Sequence, residues 1–384
     1  MRWIRRSHAL LPCFLLLLTA CHRDMPPVAF HAEGAPTQLS DWHVVEARDG
    51  QLQLNHGVVP YDLNTPLFTD YAHKLRTIWM PAGTSAKYSA TDTFDFPVGT
   101  IISKTFFYPL PKDTSRKVNA VARSYDIGRD FAGAGLDLAH VQLIETRLLV
   151  RRQDGWTALP YVWNAAQTEA TLQPTGAVLP LTLIADDGSR EDFNYVVPDR
   201  SQCASCHASD MLSHTLQPIG LKARHLNRSY RYADGDENEL AHLARVGYLS
   251  GAPAPADAPR NANWMDLQAP LDARARAYLD INCGHCHNPQ GAANTTGLSL
   301  TSATPEDRHL GICKPPTAAG RGTGDHFFDI VPGKPDDSIM PYRLGSTEPG
   351  TMMPELGRST VHREGVALIR AWIAAQQGDC IAVH

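Results

Sequence analysis

The sequence predicts a multidomain chain in which an N-terminal antiparallel β-rich, sandwich-like domain is followed by mainly α modules. Three observations carry this expectation. Between residues 41 and 200, apolar and β-branched residues come in short runs broken by turn residues. Beyond residue 237, apolar positions recur at helical spacing. The pentapeptides Cys203-Ala204-Ser205-Cys206-His207 and Cys283-Gly284-His285-Cys286-His287 share the form Cys-x-x-Cys-His and fall in two successive later segments.

The elements follow in chain order. Residues 1–20 have a basic start (Arg2, Arg5, Arg6), an apolar run from Ala9 through Leu18, and small residues before a cysteine, the layout of a secretory signal. Leu18-Thr19-Ala20-Cys21 has the form of a bacterial lipobox, with Cys21 as the acylated residue; an ordinary cleavage near Ala20 is the alternative. The run is too short to span a bilayer. Residues 21–40 are polar and contain proline, as a tether between lipid and fold would. From 41 to 200, strands are expected at 75–80, 99–108 and 141–150. Asp154-Gly155 marks a hairpin into 156–163, and Asp186-Asp187-Gly188 marks a second turn. A first, atypical module spans 201–251, with a helix at 237–249 stopped by Gly251. Pro253, Pro255, Pro259 and Pro270 make 252–270 a linker. The last module, 271–384, opens on a helix at 272–282 and closes on one at 362–376, with Val366, Ile369 and Ile373 on one face. These two helices are expected to cross, Tyr278 and Leu279 meeting Ile369 and Trp372.

The pentapeptides carry the chemistry. Two thiols three residues apart add to the two vinyl groups of one heme, and the adjacent imidazole reaches its iron, so each motif reads as a c-type heme attachment site. Two heme c groups are expected, on Cys203 and Cys206 with His207 as iron ligand, and on Cys283 and Cys286 with His287. A zinc half-site or a thioredoxin-like pair leaves the histidine unexplained, and one four-cysteine zinc site needs the pairs much closer together. The mainly α modules are accordingly expected to be of cytochrome c type. Of the remaining cysteines, Cys313 and Cys380 are an even pair that in an oxidising compartment forms a disulfide stabilising by about 4 kcal/mol; two buried free thiols are the alternative.

With the lipobox and the motifs, Phe96-Pro97-Val98-Gly99-Thr100, Lys104-Thr105-Phe106, the run from Tyr278 to His287, and Val331-Pro332-Gly333-Lys334-Pro335 through Met353-Pro354 resemble a family of bacterial periplasmic diheme c-type cytochromes with an N-terminal β-rich region and a C-terminal cytochrome c domain. The resemblance covers most of the mature chain and implies heme binding and electron transfer on the periplasmic side of a membrane.

The second iron ligands tune such hemes: methionine raises the potential, a second histidine lowers it, and an empty position admits peroxide or another small ligand. Met353, before Pro354 and shortly ahead of the last helix, sits where the family presents its sulfur; Met352 and Met340 are alternatives. For the first heme, His225 is the preferred residue among His214, His225, His242 and Met265, and an unligated iron is the alternative.

Composition is that of a folded protein, 43% hydrophobic and 20% charged. The formal charge of −5 becomes −8 once the three arginines of residues 1–20 are gone, which excludes nucleic acid as a partner. The function expected is a lipid-anchored, non-catalytic diheme electron-transfer protein working with redox partner proteins. One alternative is a diheme peroxidase or oxidase with one open heme. Another is a β domain that binds ligand through Trp42, Trp79, Trp156 or Trp163, the hemes being accessory. No side-chain acid, base or nucleophile is required.

Overall fold

The computed structural model describes residues 25–111, 119–125, 135–208, 215–317 and 319–380. The expected signal segment and Cys21 lie outside them.

The centre is a six-stranded antiparallel sheet. Its strands are β1 (Val59–Tyr61), β2 (His73–Trp79), β3 (Ile101–Pro109), β4 (Val141–Arg152), β5 (Gly155–Trp163) and β6 (Ala170–Leu172), in spatial order β6-β5-β4-β3-β2-β1. The β4–β5 hairpin turns at Asp154-Gly155, where Gly155 adopts φ +135°, a conformation that only glycine takes without steric cost. Smaller sheets flank this one, among them the hairpin β7 (Ala177–Ile184) and β8 (Arg190–Val197), whose β7 edge pairs in parallel with Ala120–Ala122.

Strands buried on both faces carry apolar residues at successive positions, which alternation divides between two cores. Ile101 and Leu148 join a core with Leu39, Trp42 and Tyr161, while their neighbours Ile102 and Leu149 join another with Leu226, Leu240, Leu243 and Leu249. The segment expected as a tether lies along this body: Val28, Phe30 and Ala35 pack on the first core, and Asn55 Nδ2 donates to the Pro26 carbonyl at 2.7 Å.

Six α-helices follow among the described residues: α1 (Arg200–His207), α2 (Ala223–Leu226), α3 (Glu239–Arg245), α4 (Leu271–Asn282), α5 (Ile339–Leu344) and α6 (Arg363–Ala375). They do not make mainly α modules of cytochrome c type, and that expectation is overturned. Only α4 and α6 exceed two and a half turns. The rest of 201–380 is hairpin, 3-10 turn and loop, rich in glycines with positive φ and without the sustained apolar period a long helix needs. The molecule is β-rich, with several sheets. The helix expected at 237–249 is only the seven residues of α3, because Gly247 takes φ +81° and the chain re-enters extended structure at Leu249–Ser250, beside Ala86–Lys87. In the segment expected as a linker, Trp264 is buried and its backbone NH donates to Thr65 Oγ1 at 3.1 Å.

Helices α4 and α6 do pack on each other. Tyr278, Leu279, Ile369 and Trp372 share one core, and Trp372 Nε1 donates to Asp272 Oδ1 at 2.8 Å. Cys313 and Cys380 form a disulfide with Cα atoms 5.2 Å apart.

Ile369 is fully buried on α6, whereas Arg370 beside it is half-exposed in an ion pair with Asp336. Ile369→Ala is expected to lower unfolding free energy by about 3 kcal/mol, and Arg370→Ala by less than about 1 kcal/mol, measured by urea titration of the full chain.

Candidate functional site

The two Cys-x-x-Cys-His segments are built differently. The first lies within α1, so Cys203, Cys206 and His207 fall on one face at helical spacing. Asp199 and Gln202 start this helix by a reciprocal cap, each side chain bonded to the other's backbone NH at 2.8 and 3.0 Å. The second follows α4 as a tight turn, in which the NH groups of Cys286 and His287 both donate to the Cys283 carbonyl, at 3.1 and 2.8 Å.

One cavity of about 560 Å³ receives both. Its wall includes both cysteines and the terminal histidine of each motif, together with Met353 from the loop before α6. The motifs are 80 residues apart in the chain, yet Cys206 Sγ, Cys286 Sγ and a ring nitrogen of His285 all lie within 4.8 Å of one another. Cys286 donating to Cys206 holds the Cys206 thiol well below its ordinary pKa and pushes Cys286 up. Burial raises Cys283 to about 12 and Cys203 above its usual value.

Each terminal histidine has one nitrogen engaged. His207 Nδ1 is 2.7 Å from the Gln217 carbonyl, to which it donates, leaving Nε2 as the nitrogen for a metal. His287 Nδ1 is 3.3 Å from Thr296 Oγ1, which donates its own proton to Ala293 and so accepts from the imidazole. Burial lowers both histidines to about 4, so both are neutral near pH 7, as a ligand must be.

Met353 is held from both sides of its backbone: its NH donates to Arg343 O at 3.1 Å and its carbonyl accepts from Arg358 Nη2 at 2.9 Å. Met352 does not line the cavity, and Met340 packs against the α4–α6 core. His225 is not brought to the cavity. It is buried, Nε2 3.6 Å from Asp280, and burial lowers its pKa to about 3. His242 is stacked on Tyr232 and bonded to Glu237, and Met265 is exposed outside the cavity wall; His214 lies outside the described residues.

No protein-family profile, no curated protein and no solved structure matches the chain. The fit to the expected heme rests on the residues themselves. The cavity wall is largely apolar, and two neutral imidazoles with an engaged Nδ1 reach it beside paired thiols. These features fit. Cys206, His285 and Cys286 also make three soft donors for a divalent metal, with the Nδ1 of His285 buried and unpartnered. The two outcomes exclude each other, because a sulfur alkylated by a heme vinyl is no longer a thiolate.

Sequence reasoning missed His362, one of 17 histidines with no motif around it. It lines the cavity, stacks on Phe68 at 4.1 Å, and has both nitrogens bonded, Nδ1 to Tyr278 Oη and Nε2 to Tyr125 Oη at 2.9 Å each. Of the tryptophans expected as a binding platform, Trp42 and Trp163 are buried, with indole NH groups on Tyr161 Oη and Thr146 Oγ1. Trp79 and Trp156 pack on the two sheet cores.

The second motif is positioned by Asp280, one turn earlier on α4. Its buried carboxylate accepts from Arg224 Nε and Nη2 at 2.7 and 3.0 Å and from Asn261 Nδ2 at 2.8 Å. Burial opposes ionisation, but these hydrogen bonds and the Arg224 and His225 charges outweigh it and hold the pKa near 2. A depressed carboxylate stabilises above its unfolded value of about 3.9 and ceases to do so as pH falls through its folded value. Asp280→Asn is expected to cost about 3 kcal/mol at pH 6, because Arg224 loses its buried partner. Urea titrations at several pH values should find that gap narrowing between pH 4 and pH 2.

Proposed function

We propose that this chain is a diheme c-type cytochrome, an electron-transfer protein whose two covalent hemes share one cavity. The observation that carries the reading is the convergence of two Cys-x-x-Cys-His motifs, 80 residues apart, on a single cavity, with Cys206 and Cys286 side by side. Cys203 and Cys206 would hold one heme with His207 on its iron, Cys283 and Cys286 the other with His287, and Met353 would be the sulfur ligand of the second iron. The hemes supply one-electron chemistry; the chain attaches them, orients its imidazoles through Gln217 and Thr296, and covers them with an apolar wall. Export and a lipid anchor at Cys21 belong to this reading, as do redox partner proteins. Among the described residues no helix is long and apolar enough to cross a membrane.

A second reading has one observation in its favour. Apart from the motif residues, the cavity wall offers, among the described residues, one thioether, Met353, and one imidazole, His362, both of whose nitrogens are engaged. With Met353 given to the second heme, the first iron would keep a position for a small ligand, as in a diheme peroxidase. Spectra with and without peroxide separate the two: fully low-spin iron in both redox states rejects the peroxidase.

Intact mass of the full chain, matured in a secreting host that attaches heme c, is expected to show two heme additions. One should be lost in Cys203→Ser/Cys206→Ser, the other in Cys283→Ser/Cys286→Ser. A chain without heme additions rejects the proposal. Met353→Ala should lower one midpoint potential and leave the other in place.

A further inference from the structure

The floor of the cavity carries an anomaly. In the register of the central sheet, Arg76 on β2 stands opposite Lys104 on β3, and Lys104 opposite Arg147 on β4. Three cations in a cross-strand row are mutually repulsive. Lys74 is two positions from Arg76 on the same face, and all four line the cavity.

Their partners are unevenly distributed. Arg147 forms a two-pronged pair with Glu145 at 2.8 and 2.5 Å, and Glu145 also accepts from Tyr195 Oη at 2.7 Å. Arg76 pairs with Asp62. Lys74 has only the Ala72 carbonyl, at 3.0 Å, and Lys104 makes no hydrogen bond or ion pair among the described residues. Phe106, next on that face, lies under Lys74 and Lys104 at 5.4 Å and under Arg147 at 4.3 Å. A cation over an aromatic ring gains less than the desolvation of an ion costs, so one phenyl ring does not balance this charge. Burial and the neighbouring guanidinium groups depress both ammonium groups, Lys104 to about 7.

Two ammonium groups thus face a cavity without carboxylates of their own, and one heme carries two propionate carboxylates. The row is on the side of the first motif: α1 packs on β5, and the Lys104 charge acts on both Cys203 and His207. We infer that Lys104, with Lys74 beside it and the two arginines flanking, receives the propionates of the heme held by Cys203, Cys206 and His207. This rests on the two-heme reading. It makes the β-rich part of the molecule a component of the cofactor site.

The test uses the full, heme-matured chain, with intact mass to count hemes and a spectroscopic redox titration to follow each one. Lys104→Met replaces the ammonium by an uncharged side chain of similar length and leaves a propionate without its counter-charge, which favours ferric iron. With two hemes retained, one midpoint potential should fall by a tenfold shift in the ferric-to-ferrous ratio, about 59 mV for a one-electron couple. Lys74→Met/Lys104→Met should lower it further, and Lys104→Arg should restore it. Two hemes with both potentials unmoved in Lys104→Met and in the double variant overturn the inference while the diheme reading stands. A low-spin to high-spin change in Lys104→Met also overturns it, because the amine is then an iron ligand. A wild-type chain without heme additions overturns both.

Discussion

The buried Asp280 carboxylate is the contact on which the arrangement of the site depends. It sits on α4 three residues before Cys283 and draws Arg224 and Asn261 to that helix from two other segments. Two residues later, Asn282 Oδ1 accepts from the Phe68 backbone NH at 2.8 Å, tying the same helix end to the loop leading into β2. The Asp280 and Asn282 side chains are buried, and a buried polar group is costly to leave without its partner. Together they set the second motif against the sheet that carries the first. A second set of bonds closes the far side: Asp70 accepts from the backbone NH groups of Ser359 and Thr360 at 2.7 Å each, and Tyr71 Oη donates to Glu364 at 2.8 Å. These place the Met353 loop and α6 over the cavity. The paired cysteines are therefore neighbours by virtue of polar contacts, most of them, such as Asp280 with Arg224 and Asp70 with Thr360, among residues outside the cavity wall.

Much of the local structure was legible in the residues. The strands around 75–80, 99–108 and 141–163 follow from β-branched and aromatic runs bounded by Gly and by Asp154-Gly155, and helices α4 and α6 from their apolar period, down to the meeting of Tyr278 with Ile369. The larger organisation was not. Two amphipathic helices around a motif suggest a mainly α module, but whether the intervening 80 residues coil into helix depends on sustained periodicity, which Gly and Pro interrupt throughout 283–362. The stretch around Trp264 looked like a linker by its prolines, yet it packs because one large indole and the Thr65 hydroxyl hold it.

The site was legible in part for the same reason. Cysteine spacing is local chemistry and needs no tertiary knowledge, so the attachment residues stand out from any sequence background. His225 looked available because a histidine near a motif is a reasonable ligand; its companion Asp280 is 55 residues away in sequence and identifies it as part of a buried polar cluster instead. The cation row is invisible for a deeper reason. Arg76, Lys104 and Arg147 each read as an ordinary charged residue in an alternating strand. Only the register of three strands sets them side by side, and register is decided by the whole sheet.

The Cys313–Cys380 bridge encloses a ring of chain that contains the Met353 loop, α5 and α6. A backbone cut anywhere inside that ring leaves both pieces covalently joined, so a nicked molecule keeps its mass, apart from one water, until reductant is added. Limited digestion near the sulfur-bearing loop would thus pass unseen on a non-reducing gel and become visible on a reducing one, which makes the crosslink a retaining strap for the wall of the cavity.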